Sequence, residues 1–397
     1  MKFKMIPSVG MPLNFKDLLK VFWHSLFSRN AGDSFAKYLY AITGHKKIFL
    51  TWKGRQAIFL GLTALKKLKP TKQKVLLPAM TCESVYYSVK AAGLIPVLYD
   101  VSQDRFKPDI QDIQKKMDDK VLTVIISPMY GILFDLTEIL QLKGQNDFYL
   151  LFDGAQSLGA TLNNETIAKS VDLACYSFGK SKNLSTINGG FVGSDNPEII
   201  QALEGSFEKL PNPSWSDNIS ILFLIIIYSV VLHPVVFWCV TRFKKEFGRQ
   251  NLETITPAKK MGKFQILMGL LNSEKFGKIT SIRQANAKRL LEELPNAGLE
   301  IKPIEKKFSK HSVYLRFPVI LKSEKQANSC INDMRQQGLW AIKNTYEPLY
   351  AINDESPNHY PLLYSFEKKI VVIPTNQMLN NEHIHKMIKI LKKYNQE

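Results

Sequence analysis

Three short stretches of this chain carry residue types that could do chemistry together. Phe152-Asp153-Gly-Ala-Gln156 places an aspartate directly after an apolar run, at the carboxyl edge of the strand that such a run predicts. A carboxylate there is poorly solvated and calls for a cation or hydrogen-bond donors. Farther on, Tyr176-Ser177-Phe-Gly-Lys180-Ser-Lys182-Asn-Leu184 ends a second run in a hydroxyl and continues into a loop with two lysines. Upstream, Lys53-Gly54-Arg55-Gln56-Ala57 opens a helix, and the first backbone N–H groups of a helix seat a phosphate. An acid for a pyridinium nitrogen, a lysine for a Schiff base, and a helix start with a hydroxyl for a phosphate are what pyridoxal 5'-phosphate requires. Taken singly, a strand-end aspartate is most often structural and a loop lysine is most often only solvated. Their order and spacing together make the set specific.

The elements that must position these residues follow from hydrophobic periodicity. Strands are expected at 75–78, 121–126, 149–152 and 173–176, with helices near 55–67, 81–92, 108–118 and 135–143. Such alternation argues for an α/β fold whose sheet is mostly parallel and covered by helices on both faces. Function in such sheets gathers at the loops beyond the carboxyl ends of the strands. The last third reads as a smaller α/β domain, with a strand over 313–321, a helix over 324–338, a buried run at 371–374 and a closing helix over 381–393. The expected division is a large domain over 1–250 and a small one over 251–397.

Lysine and arginine outnumber aspartate and glutamate by 53 to 35, a net charge of +18 that favours anionic partners. The excess is scattered as lysine pairs without a basic arm, which argues against nucleic-acid binding. Four cysteines without close pairing exclude a disulfide scaffold or a Cys-rich metal site, and suit a reducing, cytoplasmic setting. No secretory signal is read at the N-terminus. His383 and His385 lie two apart on a predicted helix and face differently, so no metal is expected.

With these motifs in place, the chain resembles the DegT/DnrJ/StrS family of pyridoxal-phosphate-dependent sugar aminotransferases, which have the type I aspartate-aminotransferase fold. Ser177 to Leu184 is similar to the family's S-F-x-x-x-K-N-L segment, and the likeness makes Lys182, not Lys180, the Schiff-base lysine. Asp153-Gly-Ala-Gln156 matches D-x-A-[HQ], which implies that Asp153 pairs with the pyridine nitrogen and that Gln156 lies near the phenolic oxygen. The resemblance assigns the phosphate to Ser177 and the Gly54, Arg55, Gln56 helix start. It places Cys82 against the cofactor ring, and Tyr130 and Tyr346 toward substrate. Pro78-Ala-Met-Thr81, Arg283-x-x-Asn286-Ala287, Tyr346-Glu-Pro348-Leu349 and Ile373-Pro374 also match family segments. The chain departs from the pattern at Arg55, where a small hydroxyl is usual, and at Cys82, where an aromatic residue often stacks. Ala258-Lys259-Lys260-Met261 stands in place of the family's N-Y-R-M.

What the likeness implies is a homodimeric aminotransferase in polysaccharide or glycolipid biosynthesis, taking nitrogen from a small amino donor, glutamate by analogy, to a keto-sugar or related acceptor. Members that dehydrate sugars carry a histidine in place of the lysine, so Lys182 favours amino transfer. A lyase or dehydratase on the same cofactor, and a non-catalytic membrane-associated binding or regulatory homologue, stay open as alternatives.

One segment lies outside the family pattern. Residues 218–241 contain no Asp, Glu, Lys or Arg and form an apolar insert, interrupted at His233-Pro234 and closed by Arg242-Phe-Lys244-Lys245. Twenty-four uncharged residues are long enough for a bilayer. Yet the site residues lie on both sides of the insert in sequence, and one active site needs both halves on one face of the membrane. The expectation is a monotopic enzyme on the cytoplasmic leaflet, held through 218–245 by a hairpin kinked at the proline. A buried helix or a dimer contact is the plainer reading, and an integral span the more extreme one.

Overall fold

The computed structural model describes residues 4–7, 17, 19–21, 23, 30–102, 106–162, 165–243, 258–294, 311–344 and 346–394. Helix α1 (Ala31–Thr43) leads into β1 (Lys47–Thr51), and the chain then alternates through α2 (Gly54–Leu68), β2 (Lys74–Pro78), α3 (Glu83–Ala91), β3 (Ile95–Tyr99), α4 (Ile110–Lys116), β4 (Val121–Ile126), α5 (Thr137–Gln145) and β5 (Tyr149–Asp153). A short hairpin, β6 (Thr161–Leu162) and β7 (Glu165–Thr166), precedes β8 (Leu173–Ser177) and β9 (Gly190–Ser194). Seven of these strands form one sheet in the order β1-β9-β8-β5-β4-β2-β3. The five from β3 to β8 are parallel, and β9 runs against both of its neighbours. Val121–Ile126 is buried at every position, as a strand covered on both faces must be.

The register sets the site. Gly190 pairs with Thr51 on one side and with Ser177 on the other, and Asp153 pairs with Cys175. The ends of β1, β5 and β8 therefore share one edge of the sheet. A Cβ on Gly54 would lie 2.6 Å from Cβ of Ser177, and one on Gly190 would lie 2.5 Å from Cα of Gly54. Only glycine at both positions lets the first turn of α2 rest on the strand ends.

After β9 come α6 (Pro197–Phe207), α7 (Trp215–Val231) and α8 (Pro234–Phe243). The apolar insert is thus two helices, bent by 93°. Pro234 opens α8, where its missing N–H is not needed. No single helix among the described residues is long and apolar enough to cross a membrane, though the bent pair passes that test together. Lys244 and Lys245 lie outside the described residues.

Helix α9 (Lys263–Glu293) runs 31 residues and joins the large sheet to the C-terminal unit. There β10 (Phe317–Ile320), α10 (Glu324–Gln336), β11 (Ile342–Lys343), α11 (Leu349–Ile352), α12 (Pro361–Phe366), β12 (Ile370–Ile373) and α13 (Asn381–Lys393) surround an antiparallel sheet of order β10-β12-β11. The strand expected over 313–321 forms only in its second half, Phe317–Ile320. Tyr314 has a φ of 45°, and Arg283 and Thr375, rather than a strand, donate hydrogen bonds to the carbonyl of Leu315. Residues 4–7 cross to this unit: Ile6 bridges to Leu339, and Asn376 donates to the carbonyl of Pro7.

Candidate active site

The loops at the carboxyl edge enclose a cavity of about 190 Å³. Gly54, Arg55, Cys82, Asp153, Gln156, Ser177 and Lys182 line it, joined by Tyr346 from the C-terminal unit. Residues from five loops, spread over almost three hundred positions, meet there because the parallel strands point the same way.

At the end of β5 the Asp153 carboxylate accepts hydrogen bonds from the Ser127 hydroxyl at 3.2 Å and from the Ala155 N–H at 3.1 Å. Ser127 in turn accepts from Thr81 at 3.3 Å. These donors fix the carboxylate, yet burial still raises its pKa, with Lys182 and the donors pulling the other way. A cation bound against Asp153 would relieve that cost. Lys182 follows a turn closed by its own N–H on the carbonyl of Gly179, at 3.0 Å. Burial lowers its ammonium pKa, while Cys82 and Asp153 raise it. The lysine is thereby brought nearer to the neutral amine that can act as a nucleophile or base.

The other end of the cavity is built for an anion. Lys53 caps α2 without a side-chain hydrogen bond to the helix. Nε and Nη1 of Arg55 are buried with no hydrogen-bond partner among the described residues. Burial lowers the pKa of Arg55, and that of Lys53 is lowered by burial and by the charges of Arg55 and Lys259. Ser177 accepts the Gly179 N–H at 3.3 Å. Two orphaned guanidinium nitrogens, a hydroxyl and a helix start demand an anion there. The residues therefore fit the cofactor expected from the sequence: an anion-seeking end, a carboxylate short of a cation, and an amine.

Two expected residues, Gln56 and Tyr130, lie off the cavity lining. Gln56 is buried away from the cavity, where its side-chain oxygen accepts the N–H of Lys259 at 3.4 Å. Tyr130 is fully buried with a φ of 60°; its N–H donates to Gln156 at 3.0 Å and its hydroxyl to Asn344 at 2.9 Å. It positions Gln156 rather than lining the cavity. Cys82 has its thiol 3.0 Å from the Ser84 hydroxyl, and burial pushes the thiol pKa up, so it offers the site an uncharged wall. Lys259 turns its ammonium to Asp217 at 2.7 Å. Arg283 and Asn286 clamp the C-terminal unit through Leu315 and Thr375.

Sequence reasoning missed Ser127, although it follows the apolar run 121–126 as directly as Asp153 follows its own. It also missed Tyr228. This residue of the apolar insert donates its hydroxyl to the carbonyl of Lys180 at 3.1 Å, two residues from Lys182. Nothing in an uncharged stretch signals which face will meet a catalytic loop.

Comparison with known proteins gives these features a setting. The profile of the DegT/DnrJ/EryC1/StrS aminotransferase family matches residues 14–392. A UDP-N-acetyl-3-dehydro-alpha-D-glucosamine 3-aminotransferase of Acidithiobacillus ferrooxidans is 29% identical over 153 residues, 38% of this chain and 41% of that protein. A GDP-perosamine synthase of Vibrio cholerae is 24% identical over 147 residues, 37% of this chain and 40% of that protein. The chain therefore spans about two fifths of the length of the curated relatives it matches. Among solved structures, a Streptococcus pneumoniae protein described as a sugar aminotransferase, in its PLP form, aligns with a TM-score of 0.78 over 99% of both chains at 18% identity. Helicobacter pylori PseC, an aminotransferase involved in pseudoaminic acid biosynthesis, aligns with a TM-score of 0.77 over 99% of this chain and 100% of that one at 14% identity. At such identities the likeness speaks for the fold.

Proposed function

The chain belongs to the DegT/DnrJ/EryC1/StrS aminotransferase family, and from that premise we propose that it is a pyridoxal-phosphate-dependent aminotransferase of nucleotide-sugar or surface-polysaccharide biosynthesis. The observation that carries the reading is the meeting of Lys182, Asp153 and the orphaned Arg55 nitrogens on one cavity. When bound, the cofactor supplies an electron sink for the charge left as a proton leaves the substrate carbon.

The rest is the work of this chain's residues. Arg55, Ser177 and the first turn of α2 hold the phosphate. Asp153, fixed by Ser127 and Ala155, would hold a proton on the cofactor's ring nitrogen. Lys182 would be the residue that holds the cofactor, and its neutral amine would take the proton from the substrate carbon and return it, as general base and then general acid. Gln156, Cys82 and Tyr346, the last from the C-terminal unit, line the cavity and would border the bound cofactor. The donor is glutamate and the acceptor a keto-sugar or a related ketone. The protein works as a homodimer on the cytoplasmic side, in contact with the membrane surface through 218–245.

Incubation of the cofactor-loaded protein with glutamate and no acceptor tests the donor half of the reaction. One equivalent of 2-oxoglutarate per site is expected; no keto acid from glutamate or any other amino donor would contradict the reading.

Arg55→Ala should weaken cofactor binding while the fold is kept. A charge-assisted hydrogen bond contributes about 1.5–3 kcal/mol, so the Kd for the cofactor should rise roughly 10- to 100-fold. Titration of the apoprotein followed by fluorescence measures it. An unchanged Kd would remove Arg55 from the phosphate seat.

A further inference from the structure

Helix α7 has two apolar faces, which is one more than a helix on a globular surface needs. Its inner face is used. Ile221 and Ile225 are buried with Trp52, Ile187, Leu267 and Leu271, and Tyr228 reaches the Lys182 loop through Lys180. The outer face is bare: Ile219, Phe223 (62% exposed), Ile226, Ile227 and Val230 (54%) follow one another at helical spacing as a single stripe. Trp215 stands exposed at the start of the helix. Leu19 and Trp23, four apart, are exposed beside it, and Val21 between them joins the cluster under α7. No charge interrupts residues 218–241, and the exposed cations among the described residues at its margins include Lys20 and Arg242, the latter 5.5 Å from the ring of Trp238.

We infer that this stripe, with Leu19 and Trp23, is a docking face for the headgroup region of an acidic lipid bilayer, on which α7 lies flat. Contiguous exposed apolar surface of this kind marks a contact site. The buried inner face excludes a spanning helix, since Ile221, Ile225 and Tyr228 already hold the catalytic loops. Local charge chooses the occupant: the stripe itself carries no charge, and the exposed Lys20 and Arg242 at its margin complement anionic headgroups. Aromatic residues at both ends and cations at the margin suit the boundary between acyl chains and headgroups. The inference rests on the membrane placement above and narrows it to named residues; it does not depend on the cofactor chemistry.

The test is flotation of the full chain with vesicles of phosphatidylcholine alone or with phosphatidylglycerol, for the wild type, Phe223→Glu and Trp23→Ser, each checked for retained cofactor. The wild type is expected to float with the acidic vesicles, less so in high salt. Each variant should lose about tenfold or more in apparent affinity, because a large apolar side chain no longer enters the bilayer. Wild-type binding that both variants retain would keep the membrane reading and overturn the stripe. No binding by the wild type would overturn both. A dimer that Phe223→Glu dissociates, without vesicle binding, would give the face to a second copy and overturn the inference. If Phe223→Glu does not fold, Trp23→Ser, on a separate segment, decides alone.

Discussion

Lys182→Ala is expected to lower kcat by about 10⁴-fold, the upper end of what a positioned general base contributes. The lysine lines the cavity opposite no other candidate amine from its loop: Lys180 directs its ammonium over the ring of Tyr228 at 5.8 Å, away from the cavity lining. Burial lowers the Lys182 pKa, which favours the neutral amine relative to an exposed lysine. The loss should fall on kcat, since the phosphate seat and the wall residues are untouched. Lys180→Ala is the control and should stay near the wild type. Steady-state kinetics on both variants decide: comparable losses for the two, or an active Lys182→Ala, would sink the assignment.

Asp153→Asn is expected to lower kcat by about 10²–10³-fold while the cofactor is still retained. Asparagine keeps the shape and one accepting oxygen for the Ala155 N–H, presents its amide N–H to the Ser127 hydroxyl, and removes the negative charge. Breaking a buried charge pair from one side costs about 3–5 kcal/mol. The same substitution should have the opposite effect on the stability of the apoprotein. Burial raises the carboxyl pKa in the fold above its unfolded value, so the native state binds the extra proton. Stability from this group is therefore full below the unfolded pKa and is lost as pH rises through the raised one. Removing the carboxyl removes the loss. The apo variant should melt above the apo wild type near neutral pH, and the gap should close as pH falls into the carboxylate range at about pH 4. Calorimetry across that range measures both limbs. A variant less stable than the wild type at neutral pH would show that Asp153 is a structural residue with its charge already satisfied.

Both predictions concern residues that could be read from the chain, and the reason is local. A strand that ends in a functional residue writes that residue immediately after its apolar run, so Asp153 and Ser177 are visible without the fold. The helices 54–68, 83–91 and 381–393 were equally visible, because each turns one apolar face to the core. What was hidden depends on distant partners. The reversed strand β9 is a five-residue run with two glycines, and only its fit beside Gly54 and Ser177 explains it. The long helix α9 buries Gln265, Asn272, Arg283 and Asn286 along with its leucines, so its polar residues blur the periodicity that would have announced it. The resemblance placed Tyr130 toward substrate, but its backbone is left-handed and its hydroxyl bonds to Asn344, and no local pattern foretells that. The insert was recognisable as apolar, whereas the division of α7 into a face for the catalytic loop and a face for the outside exists only in three dimensions.

The central claim is that one cavity holds pyridoxal phosphate on Lys182. Its most direct test is borohydride reduction of the cofactor-loaded protein, followed by peptide mass mapping. The account predicts a stable pyridoxyl group on the peptide that contains Lys182, and none in Lys182→Arg loaded in the same way. A group on Lys180 or on another lysine, or a protein that retains no cofactor through gel filtration, would contradict it.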